Sequence, residues 1–155
     1  MQTTAFAIAQ RFVGIRESAG AASTPMILAM LRLDATWPPG DEVAWCSAFA
    51  NLVAWLLNLP RSRSLAARSW LAVGRPVPLE QAAAAFDVVV LSRGTLQQPA
   101  ADVVEAPGHV GFFAGLEGGD VWILGGNQGD TVSIAKFSRE RVLGVRRLVD
   151  EGPTT

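Results

Sequence analysis

The sequence has few of the side chains that build cross-linked or metal-bound folds: among 155 residues there is one cysteine, one histidine and no tyrosine. A single cysteine excludes a disulfide framework, and a cysteine-rich zinc site needs several ligands in register. The 13 basic and 14 acidic residues leave a net charge of −1. Nucleic-acid binding needs clustered positive charge, so no nucleic-acid partner is expected.

Long apolar runs and targeting segments are also missing. The longest charge-free run, residues 43–60, is shorter than the roughly 20 apolar residues of a membrane span. The N-terminus has no positively charged n-region, and Arg11 interrupts its apolar stretch. Because half of the residues are apolar, a core of useful size is possible. We therefore expect one domain over residues 1–155, with its core at about 4–149, and no membrane span.

The first half of the chain has helical periodicity, and the second half has strand patterns. Apolar residues at three- and four-residue steps predict helices over residues 4–15 and 43–59, and Pro25 begins a further short helix. Residues 64–73 are expected to form a short helix or turn. Runs of β-branched residues predict strands over residues 86–91, 110–114, 121–124, 132–137 and 142–149. Helices followed by a mostly antiparallel sheet indicate an α+β fold, and residues 95–107 are expected to be a long polar loop.

Two reactive side chains lie where predicted elements begin. Cys46 is near the start of the longest helix, where the helix dipole and free N–H groups favour an anion, so we expect a lowered thiol pKa. His109 begins a strand, and its ring can point toward a facing helix end. Taken singly, each residue is more often an ordinary buried or surface side chain. The two form a nucleophile–base pair only if they meet in space.

A third polar group is needed to orient the imidazole. If strands 110–114 and 121–126 form a hairpin, Asn127 returns beside His109, and its amide oxygen can accept a hydrogen bond from the ring. Gln128 is the competing acceptor, and Glu17 is a further candidate for contact with His109. The structural alternative is a plain turn, because asparagine tolerates left-handed backbone.

Five short blocks occur in order along the chain: WCSAF (45–49), ARSWL (67–71), GHVGF (108–112), LGGNQ (124–128) and LGVR (143–146). The ordered set resembles the NlpC-type and CHAP-type cell-wall cysteine peptidases, in particular a small single-domain branch from bacteria and their phages. The resemblance covers roughly residues 17–146. It implies a papain-like α+β fold and hydrolysis of a peptidoglycan amide bond, as an endopeptidase or an N-acetylmuramoyl-L-alanine amidase.

The resemblance also implies roles for single residues. Cys46 is the expected nucleophile, His109 the base and Asn127 the third member, with no metal and no organic cofactor. Many members of the superfamily place a tyrosine near the nucleophile, and Trp45 is the candidate for its place here. Trp45, Trp70, Glu17 and Gln128 are candidate substrate-binding residues, although buried aromatic residues and solvated carboxylates are the common alternatives.

The implied partner is the peptide stem of peptidoglycan, and the implied enzyme is endolysin-like or a wall-acting toxin. We expect a monomer that is made in the cytoplasm without a signal peptide and acts at the cell wall or periplasm after delivery. A holin, a secretion machine or an immunity protein is a candidate partner. Two other classes remain open: a catalytically inactive wall-binding module on the same fold, and a thiol acyltransferase or deamidase.

Several other charged residues are less informative. Asp41 and Glu42 flank the expected cleft. Four arginines near the C-terminus form a basic patch, which we expect to be solvated and paired with Glu140 and Asp150: they are Arg139, Arg141, Arg146 and Arg147.

Overall fold

The computed structural model describes residues 2–17, 24–34, 45–94 and 99–149. Within these ranges the α-helices are α1 (Ala5–Gln10), α2 (Pro25–Leu31) and α3 (Cys46–Leu56). The strands are β1 (Arg75–Val77), β2 (Asp87–Ser92), β3 (Gly108–Glu117), β4 (Asp120–Gly125), β5 (Ser133–Ser138) and β6 (Val142–Arg147). Short 3₁₀ helices span Ala67–Ala72, Leu79–Gln81 and Arg139–Arg141. The predicted α+β class is confirmed. No helix in the described ranges is long and apolar enough to cross a membrane.

The six strands form one sheet in the order β1-β6-β2-β3-β4-β5, and each neighbouring pair is antiparallel. The central strand β2 is buried along its whole length, as its β-branched sequence predicts. Strands β3 and β4 form the predicted hairpin, with Phe112 paired to Leu124. This hairpin returns the chain after β4 to the end of the sheet where β3 begins.

The helices cover one face of the sheet. Nine of the 11 residues of α3 are buried, and Phe49 packs edge-on against Phe112 of β3 with ring centroids 6.1 Å apart. Burying each large apolar side chain contributes about 1.5–3 kcal/mol to folding. A second apolar cluster lies on the opposite face, because alternate residues such as Val89 and Leu91 point away from the helices. The sheet therefore separates two buried environments.

Some element boundaries differ from the predicted ones. Helix α1 ends at Gln10 rather than at residue 15, because Gly14 adopts a φ of 97° and its N–H donates to the carbonyl oxygen of Val132. Helix α3 ends at Leu56, just before Asn58 adopts a left-handed φ of 54°. Residues 43–44 of the predicted helix and residues 95–98 of the predicted loop lie outside the described residues.

Strand β1 was not predicted from the sequence. It has three residues, Pro76 among them, and it exists because it pairs with β6, which is distant along the chain. The turn before it needs Gly74, which has a φ of 65° and lies against the backbone carbonyl of Arg147 so closely that a Cβ would overlap it. Such pairing depends on a remote segment, so local sequence does not reveal it.

Candidate active site

Cys46 is the first residue of α3, and its side chain is only 2% exposed. Backbone N–H groups of Val110 in β3 and of Ser47 at the start of its own helix act on the sulfur and favour the thiolate. Burial raises the pKa of the Cys46 thiol, and these N–H groups together with the positive charge of Arg93 offset that rise only in part. The predicted lowering of the thiol pKa is therefore wrong. The helix N-terminus is present, but desolvation of a buried thiolate outweighs it.

His109 is the second residue of β3 and is 4% exposed. Its ring packs against Phe137 of β5, with centroids 5.3 Å apart. Phe137 belongs to the apolar cluster on the sheet face opposite the helices. Because successive strand residues point to opposite faces, His109 faces away from α3, whereas Val110 packs with the helices.

Gln128 holds the imidazole. The Nε2 atom of His109 lies 2.9 Å from Oε1 of Gln128. The amide nitrogen of Gln128 donates to the carbonyl oxygens of Ile123, at 3.2 Å, and Ser133, at 2.8 Å. Since a carbonyl oxygen can only accept, these two bonds assign the amide orientation and leave Oε1 facing the ring. Oε1 also only accepts, so Nε2 carries the proton, and Nδ1 of the neutral ring has the free lone pair.

Asn127 does not make the predicted contact. In the described part of the chain, the hydrogen bond to the imidazole comes from Gln128, the residue that the sequence left as the competitor. Asn127 adopts a left-handed φ of 56°, which asparagine tolerates at tight turns. This turn directs the next side chain, rather than that of Asn127, back beneath β4. Asn127 still lines the same cavity as His109.

Gly125 provides the space for this arrangement. A Cβ on Gly125 would lie 2.7 Å from Oε1 of Gln128 and 3.3 Å from Nε2 of His109. The first distance is shorter than real Cβ contacts and the second is tight, so a side chain here would push the Gln128 amide away from its present position. Glycine at this position therefore leaves room for the imidazole and the amide to meet.

The surroundings of His109 keep its ring neutral. Burial, with smaller contributions from the positive charges of Arg93 and Arg141, lowers the pKa of His109 to about 4, while the bond to Gln128 acts in the opposite direction. At neutral pH the described site therefore contains a neutral imidazole and a protonated thiol. This is not the preformed thiolate–imidazolium pair that a low thiol pKa would give.

Val110 links the two predicted residues. The backbone N–H that acts on the sulfur of Cys46 belongs to Val110, which follows His109 directly. Among the described contacts there is no hydrogen bond between the thiol and the imidazole. Cys46 lines one cavity of about 420 Å³, His109 lines another of about 460 Å³, and Arg93 borders both. The structure therefore brings the two residues to the same end of β3, from opposite faces of the sheet.

The two candidate tryptophans are structural in this fold. Trp45 and Trp70 are both fully buried, so neither lines a groove. Trp70 donates its indole N–H to Oγ of Ser47, at 2.9 Å. Trp45 donates to the carboxylate of Glu17, at 3.2 Å. Glu17 thus contacts Trp45 and not His109, so the predicted alternative contact to the imidazole is wrong.

Arg68 was missed by the sequence analysis. It is 1% exposed and donates to the carbonyl oxygens of Pro107 and Ala100. These bonds attach the segment that leads into His109 to the 3₁₀ helix Ala67–Ala72. The only signal was an arginine inside the ARSWL block beside Trp70, and such a signal does not identify carbonyl partners about 30–40 residues away.

The C-terminal arginines bind partners other than those predicted. Arg147 pairs with the buried carboxylate of Asp87, at 2.7 Å. Arg146 donates to the carbonyl oxygens of Val73 and Gly74. No described ion pair involves Glu140, and Asp41, Glu42 and Asp150 lie outside the described residues. The expectation of a solvated patch paired with acidic neighbours in sequence is therefore wrong for these two arginines, which fasten β6 to the rest of the fold.

Side chains that could bind a metal ion do not cluster in the described part of the chain. Over residues 2–17, 24–34, 45–94 and 99–149, no group of three or more histidine, cysteine, aspartate or glutamate side chains is placed to hold a metal ion.

Comparison with known proteins gives a match to a solved structure. The chain matches no protein-family model and no curated protein. Among solved structures it is similar to NlpC1 from Trichomonas vaginalis, with a TM-score of 0.56 at 15% sequence identity. The match covers 93% of this chain and 42% of that chain, so this chain spans less than half the length of NlpC1. At this identity the similarity supports an NlpC-like fold.

Proposed function

We propose that this chain is a cysteine hydrolase of papain-like architecture that cleaves an amide bond in the peptide stem of peptidoglycan. The proposal depends on one observation above all: Gln128 holds the imidazole of His109 in one tautomer at the end of β3 beside which the Cys46 thiol lies. The NlpC-like fold supports the same class of enzyme. Nucleophile, base and orienting group are then Cys46, His109 and Gln128.

The first half of the proposed reaction forms a thioester. Nδ1 of His109 takes the thiol proton as the sulfur of Cys46 attacks the carbonyl carbon of the scissile amide. The tetrahedral oxyanion accepts hydrogen bonds from backbone N–H groups at the start of α3. The imidazolium then donates the same proton to the amide nitrogen, the C–N bond breaks, and the amine leaves.

The second half regenerates the enzyme. Nδ1 takes a proton from water, the oxygen attacks the thioester carbon, and the C–S bond breaks. The imidazolium returns the proton to sulfur, and the carboxylic acid is released. This cycle requires contact between sulfur and Nδ1 in the substrate complex. The two side chains lie at the same end of β3 but on opposite faces of the sheet, so the proposed cycle requires the imidazole to turn toward the sulfur when substrate binds.

Digestion of isolated sacculi, analysed by mass spectrometry of the released muropeptides, tests the proposal. The wild-type chain should release new amino termini at one bond, and Cys46→Ser and His109→Gln should release none. Asn127→Gly is the matched control, since it changes the neighbour of Gln128 without touching the imidazole bond, and it should retain activity.

Two other outcomes of this experiment would favour the two alternative classes of protein, a wall-binding module or a thiol acyltransferase or deamidase. Binding to sacculi without any new amine, in wild type and Cys46→Ser alike, would refute the hydrolase and favour a wall-binding module. Release of amines or ammonia from protein amides, with none from sacculi, would favour a thiol acyltransferase or deamidase.

A further inference from the structure

The cavity beside His109 is lined by positive side chains. It has a volume of about 460 Å³, and Arg93, Lys136 and Arg141 line it together with the imidazole. None of its described lining residues is an aspartate or a glutamate. The cavity on the Cys46 side differs, because its lining includes the acidic Glu105 as well as Arg93.

The positive charges at this cavity are poorly neutralised. Arg141 donates from Nε and Nη2 to the carbonyl oxygen of Ser92, at 3.0 and 2.7 Å, which fixes the guanidinium but leaves its charge uncompensated. Arg93 is exposed and has no hydrogen-bond or ion-pair partner among the described residues. Lys136 lies 3.8 Å from Asp120, with side chains 48% and 39% exposed. Such an exposed ion pair contributes little to stability, so Lys136 can readily exchange Asp120 for another anion.

The guanidinium of Arg141 is also held in place by an aromatic ring. Its central carbon lies 5.4 Å from the centroid of Phe137, the ring that packs against His109. Arg93 and Arg141 each contribute to lowering the pKa of His109, so their positive charges act on the imidazole that lines this cavity. One fixed cation and two adaptable cations around a single cavity are features that bind a carboxylate.

We infer that this cavity binds a carboxylate, held by Arg93, Lys136 and Arg141 beside the imidazole. The ligand is an acidic peptide with a free carboxylate, and a neutral or amidated peptide is disfavoured. That this peptide is the substrate rests on the proposed hydrolase function. The binding preference itself follows from the charges and does not require catalysis.

Calorimetric titration of the Cys46→Ala variant, which cannot turn over substrate, tests the inference. The probes are a synthetic stem tripeptide with free carboxylates and the same peptide with each carboxylate converted to a carboxamide. The free-carboxylate peptide should bind about tenfold more tightly, the difference expected for one charge-assisted hydrogen bond. Added salt should reduce this difference, because part of it is screened.

Two further variants in the Cys46→Ala background locate the effect. Arg93→Gln should remove most of the carboxylate preference, because this side chain lines the cavity and has no described structural partner. Arg11→Gln removes the same charge from an exposed position at the end of α1 and should leave the preference unchanged. Equal affinity for the two peptides, no binding of either, or equal loss in both arginine variants would overturn the inference.

The two proposals fail in different ways. A carboxylate preference in a chain that leaves sacculi intact would refute the hydrolase and leave the binding site standing. Cleavage of sacculi by a chain that binds both peptides equally would refute the carboxylate site and leave the hydrolase standing.

Discussion

The low pKa of His109 makes the stability of the protein depend on pH in a specific window. The histidine of an unfolded chain titrates near a pKa of about 6.5, and burial lowers the pKa of His109 in the folded chain to about 4. Between these values the unfolded chain binds a proton that the folded chain does not. Stability is therefore complete above about pH 6.5 and is lost as the pH falls toward 4.

The size of the effect follows from the same two values. Each pKa unit corresponds to about 1.4 kcal/mol, so the difference gives about 3 kcal/mol of unfolding free energy lost on acidification. His109 is only 4% exposed, so solvent screens little of this effect. That loss is a large fraction of the about 5–15 kcal/mol that stabilises a typical domain.

Urea denaturation at a series of pH values measures this loss, and the His109→Gln variant isolates it. Glutamine can still donate to Gln128 but does not titrate, so carboxylate protonation is common to both proteins and the difference between them belongs to the imidazole. The chain has a single histidine, so its ring resonances can be followed by NMR without ambiguity. Identical pH dependence in the two proteins, or a ring that titrates near 6.5, would refute the reasoning.

Four other predictions concern the neighbours of this ring and the Cys46 thiol. Gln128→Ala should cost about 1–3 kcal/mol in urea denaturation, because it leaves the buried Nε2–H of His109 unsatisfied. Asn127→Gly, at a φ of 56°, should change the free energy of unfolding by less than about 1 kcal/mol. A cost equal to that of Gln128→Ala would return the orienting role to Asn127. Gly125→Ala should cost about 1–3 kcal/mol and shift the ring resonances, because its Cβ would lie 2.7 Å from Oε1 of Gln128; an unshifted spectrum would contradict this packing. Iodoacetamide should alkylate Cys46 at pH 7 about tenfold more slowly than free cysteine, since the thiol is buried and its pKa is raised; alkylation at the rate of free cysteine would show a thiolate instead.

Local sequence was sufficient to predict the types and the order of the α-helices and of five of the six strands, β1 being the exception. Periodic apolar residues predicted the helices, and β-branched runs predicted the strands, because side-chain direction repeats every 3.6 or 2 residues in these structures. The hairpin of β3 and β4 follows from two adjacent strand patterns and a glycine-rich turn. These patterns also placed Cys46 at a helix start and His109 at a strand start, where both are found.

Only the tertiary structure could choose between Asn127 and Gln128. The two are neighbours in sequence, and a shift of one residue moves a side chain to the other face of a strand or turn. The choice depends on the left-handed backbone of Asn127 and on two carbonyl oxygens, of Ile123 and Ser133, that bind the amide of Gln128. None of these is visible in local sequence.

The electrostatic state of the site was likewise decided by the tertiary structure. A helix N-terminus lowers a thiol pKa in isolation, and the sequence correctly places Cys46 there. Burial between α3 and β3 has the larger and opposite effect, and it depends on side chains from both halves of the chain. The position of a reactive group in an element is a local property, whereas its desolvation and its charged neighbours are set by the whole fold.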